Sequence, residues 1–277
     1  MSTVEFGKDA ASSFTELAKS YDRFAGTCIR SVSGYAVSIL PHPLQPNARV
    51  LDNACGTGLL TRELLKKYPD VNVDAVDLAP GMIQGVHSLI QNRHWEGKVE
   101  ATVMNGLDLK FPDNRFDASF TMFAIFFLGE KGAKEIYRTL RTGGVAVVST
   151  WEYVGWMPIL HEVQKIAKPG QELLVIPLME EWKGKEILVE TLQKGGFEEV
   201  QVLQRKSLAT AENDEELADL LIGAFSSMTK QVWGEEGMNG MKEPLQEVLK
   251  TQREKWVVEE DGKVGIRMNA WVAIATK

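Results

Sequence analysis

Two cysteines in 277 residues cannot build a disulfide framework, and no charged-then-apolar leader opens the chain. Cys28 and Cys55 are therefore expected to be reduced thiols in the cytoplasm. Long hydrophobic runs are missing too. The longest, Phe116 to Leu128, is interrupted by Asp117, Ser119 and Thr121 and falls short of a membrane span. No basic face is visible, and a formal charge of −7 argues against nucleic acid as a partner. There are four histidines and no paired-carboxylate or metal-ligand cluster, so no metal site is expected. Repeats, low-complexity tracts and lipidation signals are absent. What remains is a small-molecule protein whose oligomeric state is open, with a monomer favoured.

With 44% hydrophobic residues the chain has ample material for a core. Residues 49–150 alternate strand and helix with little waste. "ARVLDNA" is a short apolar strand, "GLLTRELLKKY" a helix with Leu60 and Leu64 on one face, and "VNVDAVDLAP" a second strand. Met82, Ile83, Val86, Leu89 and Ile90 then fall on one side of a helix. "KVEATVMN" and "FDASFTMF" are the third and fourth strands, and "KGAKEIYRTLR" is a helix that Gly143-Gly144 should end. "VAVVSTW" is a β-branched fifth strand. Such alternation implies right-handed crossovers and a parallel sheet covered on both faces. Beyond Trp151 the rhythm changes: an irregular aromatic stretch, one helix and one strand over 185–207, two helical patterns over 214–256, and a closing strand "VGIRMNAWVAIATK". The first 45 residues read as helical until Pro41, Pro43 and Pro46 stop them.

The stretch "RVLDNACGTGLL" runs an apolar strand into small residues and then a helix. That geometry brings a ligand onto bare backbone N–H groups. A dinucleotide would want G-x-G-x-x-G; Gly56 and Gly58 supply two glycines, but Thr61 stands where the third belongs. S-adenosyl-L-methionine asks less of the loop, having no pyrophosphate. Asp52, at the first strand's tip, is then placed to face its ammonium side, and Asp77, at the second, to accept both ribose hydroxyls. Asp77 could instead be a helix N-cap.

"VLDNACGTG", "VDAVDLAPGMI", "NGLDLKFPDNRFD" and "RTLRTGGVAVVSTW" resemble, in order and spacing, the motifs of class I S-adenosylmethionine-dependent methyltransferases. The resemblance implies an α/β, Rossmann-like fold: a seven-stranded, mostly parallel sheet whose last strand inserts antiparallel beside the fifth, with helical lid segments. It implies one methyltransferase domain over 1–277, with an N-terminal lid over 1–46, a cofactor-binding core over 47–151, and substrate insertions at 152–184 and 212–258. A narrower resemblance, carried by Asn53-Ala54 and by "STWEYVGWMPI", is to fungal secondary-metabolite methyltransferases, thiol S-methyltransferases among them. Ala54 departs from the general motif's glycine; a methyl there is tolerable only if the backbone stays out of the left-handed region.

Carried onto this chain, the family pattern places the Ala54 and Gly56 backbone against the methionine portion of S-adenosyl-L-methionine. Asp77 takes the ribose, Leu78 and Met82 lie against the adenine or ribose, and Asn105 meets the adenine amino group with Gly106 and Leu107 nearby. Met122 and Phe123 stand where the backbone approaches the sulfonium. Met82 and Met122 also suit plain core filling. "AKSYDRF" is similar to a segment that folds over the cofactor, with Tyr21 near its carboxylate; a surface tyrosine is the bland alternative. After "FDASFTMF" there is no N/D-P-P-Y/F, which counts against nucleic-acid bases as acceptors. "AIFFL" follows instead, and Phe127 is expected to line the acceptor pocket with Trp151, Trp156 and His161, unless its ring is ordinary core. His161 lies in the 152–184 insertion and is a candidate for a general base. The expected activity is methyl transfer to a small apolar acceptor, most simply a thiol. O- or N-methylation, or a non-methylating isomerase that keeps the cofactor, stands as the alternative.

Overall fold

The computed structural model describes residues 10–277, apart from the side chains of residues 10, 17, 19–21, 24–25, 227–232 and 235–239. Helix α1 (Ala10–Ser38) opens it and stops short of Pro41. A strand–helix alternation follows: β1 (Arg49–Asn53), α2 (Leu59–Lys67), β2 (Asn72–Asp77), α3 (Pro80–Arg93), β3 (Val99–Val103), β4 (Phe116–Met122), α4 (Ile125–Thr139) and β5 (Leu140–Val154). Then come α5 (Trp156–Ala167), α6 (Pro177–Glu181), α7 (Lys185–Gly195), β6 (Val200–Arg205) and β7 (Leu208–Ala211). The chain closes with α8 (Asp214–Asn239), α9 (Lys242–Trp256), β8 (Val257–Glu260) and β9 (Lys263–Thr276).

The main sheet has the order β3-β2-β1-β4-β5-β9-β6, and β9 lies antiparallel between β5 and β6. This is the topology the resemblance implied. β1 is central, paired on both sides with parallel strands, and four of its five residues are buried. Burial on both faces is why its sequence is a run rather than an alternation. One face is covered by α1, α2 and α3, whose Val32, Leu64 and Val86 are fully buried. The other is covered by α4 and α7, which approach so closely that a Cβ on Gly195 would lie 2.6 Å from the Ala133 Cβ.

Two elements differ from the sequence reading. Gly143-Gly144 do not end the preceding helix, because α4 stops at Thr139 and the chain is already extended at Leu140. Leu140 is fully buried and pairs with Phe116, so core burial captures it for β5; the glycines fall within that strand, Gly143 at φ 76°. The second difference is β8, which follows the helical patterns of 214–256 and which the sequence does not mark as a strand. Its Val257 and Val258 pair with β9, and β7 pairs with the same half of β9, giving a small antiparallel sheet beside the main one. β9 therefore bonds to four strands in turn.

Candidate functional site

The loop between β1 and α2 is held from several directions. The Cys55 N–H donates to the Val76 carbonyl at 2.9 Å, and the Gly58 N–H to the Cys55 carbonyl at 3.0 Å. Gly56 and Gly58 have φ of 54° and 85°, as small residues in a tight strand-to-helix turn allow. Ala54 has φ 56°, which corrects the expectation that a methyl here keeps the backbone out of the left-handed region. The strain costs on the order of 1 kcal/mol, and the surrounding hydrogen bonds hold it. Ala54→Gly is accordingly expected to raise stability by about 1 kcal/mol. A shift of the urea midpoint to higher concentration would show it; an unchanged or lower midpoint would refute it.

Two acids flank this loop, Asp52 buried and Asp77 half-buried. The Asp77 carboxylate accepts the Gly56 N–H through Oδ2 and the Ala79 N–H through Oδ1, each at 2.9 Å. It thus ties the glycine loop to the start of α3, whose N-cap residue is Ala79. Burial raises its pKa, and the backbone donors oppose that rise. Asp52 is 1% exposed and accepts the Thr61 hydroxyl at 2.6 Å. Thr61, the residue that breaks the dinucleotide pattern, is thereby committed to an acid. Desolvation pushes Asp52 up to about 7, with the nearby Asp77 charge adding to the rise.

The sign follows from that direction. A carboxylate whose folded pKa is raised above the ordinary 3.8 destabilises the folded chain progressively as pH climbs from about 4 to about 7. Asp52→Asn keeps an acceptor for Thr61 and removes the charge. It is expected to abolish that part of the pH slope and to be the more stable form at pH 8, by a few kcal/mol. Urea midpoints of both proteins at pH 5 and pH 8 measure the difference. Parallel shifts in the two proteins would show that Asp52 titrates normally.

Above the loop lies a cleft of about 740 Å³ counted to its open mouth, within the range of small-ligand sites. Ala54, Gly56, Asp77, Leu78, Met82, Asn105, Gly106, Met122, Phe123 and Phe127 all line it, so ten residues singled out in the sequence converge there. Asn105 accepts the Leu107 N–H through Oδ1 at 2.9 Å, which leaves its NH₂ as a donor for a ligand. Leu107 itself is not part of the lining. A Cβ on Gly106 would lie 2.9 Å from the Asn53 Oδ1, so only glycine allows this close approach. Phe14 of α1 meets Phe127 edge-on at 5.8 Å, and the Gly81 N–H donates to the Thr15 hydroxyl at 3.3 Å. The N-terminal half of α1 is thus drawn over the cleft.

Asp52 does not face this cleft. It lines a smaller adjoining chamber of about 320 Å³ with Ser33, Cys55 and Thr57, while Ala54, Gly56 and Met122 are common to both spaces. The Ser33 hydroxyl there is buried and has no hydrogen-bond partner. Three acceptor-pocket expectations need correction. Trp151 stands behind the cleft wall, stacked on Phe123 at 3.8 Å and 18°. Trp156 is 3% exposed and packs toward Phe225 in the core. His161 lies outside the lining, its Nε2 2.8 Å from the Leu174 carbonyl oxygen. All three follow from tertiary packing that an isolated motif does not reveal. Tyr21 falls within α1, and its side chain is outside the described residues. The sequence reading missed Met104, Leu128 and Phe14, apolar residues with no motif to mark them.

Comparison with known proteins decides what this arrangement belongs to. A family described as a methyltransferase domain matches residues 50–144. Demethylmenaquinone methyltransferase of Corynebacterium kroppenstedtii is 30% identical over 171 residues, covering 56% of this chain and 70% of that protein. The chain belongs to the class I S-adenosylmethionine-dependent methyltransferases. Methyltransferase tpcH of Aspergillus fumigatus is 28% identical over 96% of this chain and 95% of its own length. Acetylaranotin bis-thiomethyltransferase of Aspergillus terreus is 27% identical over 55% of each chain. Among solved structures, the [4+2]-cyclase SpnF superposes with a TM-score of 0.60 at 16% identity, over 97% of this chain and 95% of that one. That likeness speaks to fold alone. The cofactor of this methyltransferase is S-adenosyl-L-methionine. Its chambers suit the molecule: an apolar space with Asp77 and Asn105 for a nucleoside, and a smaller one in which Asp52 and the unpartnered Ser33 hydroxyl offer polar groups to an amino-acid end.

Proposed function

We propose that this methyltransferase methylates a thiol on a small, largely apolar acceptor. One observation carries the reading: among the described residues lining the cleft, Asp77 is the only titratable side chain, and two backbone N–H groups already occupy it. A wall of Phe, Met, Leu and Ala offers no group to take a proton from an alcohol. The acceptor must therefore arrive nucleophilic, which a thiol near neutral pH does. The name of the Aspergillus terreus relative points the same way.

In this reading Asp77 accepts the ribose hydroxyls, Leu78 and Met82 flank the nucleoside, and the Asn105 NH₂ donates to a ring nitrogen of the adenine. The Ala54 and Gly56 backbone, Asp52 and the Ser33 hydroxyl receive the amino-acid end. Bound S-adenosyl-L-methionine supplies an electrophilic methyl on a sulfonium. The protein's part is to orient, to exclude water and to hold the acceptor in line, which is catalysis by proximity. Incubation with labelled S-adenosyl-L-methionine and a panel of hydrophobic thiols, phenols and amines tests it, with the product read by mass spectrometry. Transfer to thiols above the others supports the reading. Methylated phenols or amines beside unreacted thiols would remove the sulfur assignment.

A further inference from the structure

Phe123 is a bulky residue with φ 54° at the tip of β4, a conformation that persists only where its surroundings over-determine it. Here they do. Its N–H donates to both the carbonyl oxygen and the hydroxyl oxygen of Ser149, at 3.2 and 3.0 Å. Its ring is stacked on Trp151, two residues further along β5 and so on the same face of that strand as Ser149. Having accepted from Phe123, the Ser149 hydroxyl has its one proton left, and that proton is aimed at the Met122 sulfur 3.9 Å away. Ser149 is itself fully buried. A single hydroxyl therefore holds the backbone of one cleft residue and the flexible side chain of its neighbour. Met122 is also one of the three residues shared by the two chambers.

We propose that Ser149 is a positioning residue for methyl transfer, fixing Met122 and Phe123 at the junction of the two chambers. This rests on the reading of the cleft as the place where the methyl moves. The junction is where the nucleoside and amino-acid halves of the cofactor meet, so the wall that Ser149 sets lies beside the reacting atoms. Ser149 touches neither cofactor nor acceptor; it acts through its two neighbours. Removing the hydroxyl leaves the Phe123 N–H its carbonyl partner, so the fold stands, while Met122 is released to other rotamers and the strained turn loses half its anchor.

The test compares wild type, Ser149→Ala and Ser149→Thr on a thiol that wild type methylates, with active sites counted by S-adenosylhomocysteine titration. Ser149→Ala is expected to lose at least tenfold in kcat per active site, with the S-adenosylhomocysteine Kd and the acceptor KM within threefold of wild type. Ser149→Thr, which keeps the hydroxyl, should bring kcat back to within threefold. If threonine is not accommodated, Ser149→Cys keeps the volume and a weak donor and should give an intermediate rate. A merely structural role would lower the number of active sites and leave kcat per site alone. The proposal falls if Ser149→Ala turns over within threefold of wild type, or if neither conservative variant recovers activity while binding S-adenosylhomocysteine normally. A wild type that binds S-adenosylhomocysteine and methylates nothing in the panel would instead overturn the transfer reading on which this rests.

Discussion

Asp77→Ala is expected to weaken binding of S-adenosylhomocysteine by more than about 100-fold, the equivalent of roughly 3 kcal/mol for two charge-assisted hydrogen bonds to a ribose. The loss has a second source in the structure. The same carboxylate accepts the Gly56 and Ala79 N–H groups, so its removal unties the glycine loop from the start of α3 just where the ligand must be held. The fold should survive, because β2 keeps its buried Val73, Ala75 and Val76 and its pairing with β1 and β3. Asp77→Asn isolates the chemistry. An amide can accept through only one of its two end atoms, so either Gly56 or Ala79 would face an NH₂ group. Both variants should be followed by calorimetry beside a thermal melt. Binding within a few-fold of wild type in a folded variant would defeat the assignment of this acid to the cofactor.

The second large effect is in the pH profile of transfer. With an acceptor thiol of ordinary pKa, about 8.5, kcat/KM should rise close to tenfold per pH unit below that value and level off above it. With S-adenosyl-L-methionine saturating, so that titration of Asp52 does not limit its binding, the plateau should move with the pKa of the thiol used rather than with any group of the protein. His161→Ala should stay within about threefold of wild type, because its Nε2 is engaged with the Leu174 carbonyl and its ring lies outside the cleft lining. A loss of three orders of magnitude in that variant, or a plateau indifferent to the thiol's pKa, would mean that the protein supplies a base of its own.

Why so much of the cofactor half was legible lies in its local character. A strand tip, its glycine turn and the next helix are contiguous in sequence, so Ala54, Gly56, Asp77, Leu78 and Asn105 could be placed from motif and spacing. Even there a non-local effect intervened. Nothing in "LDNACG" says that Ala54 tolerates a left-handed backbone; the Val76 carbonyl and the Asp77 carboxylate, more than 20 residues on, hold the turn that makes it do so. Asp52 lies at the end of β1, as the sequence indicates, but its direction depends on Thr61 reaching back from α2. The acceptor side was harder. Trp151, Trp156 and His161 are aromatic residues near a strand end, and aromatic character alone does not say whether a ring backs a wall, fills a core or lines a space. The same holds for β8, whose short valine pair becomes a strand only because β9 offers it an edge.

That edge has a consequence for how the molecule is made. β9 follows the other eight strands in chain order, yet it fills the gap between β5 and β6 and also carries β7 and β8. While the chain is being synthesised, β1 to β5 can assemble first, with the outer side of β5 exposing an unpaired row of backbone groups. β6 has no partner at all in that interval. The nascent protein thus passes through a stage with open, β-branched edges of the kind that capture other strands. Ribosome-bound or C-terminally truncated chains ending before Lys263 should be found with chaperones or in aggregates, whereas release of the last strand seals the sheet in one step.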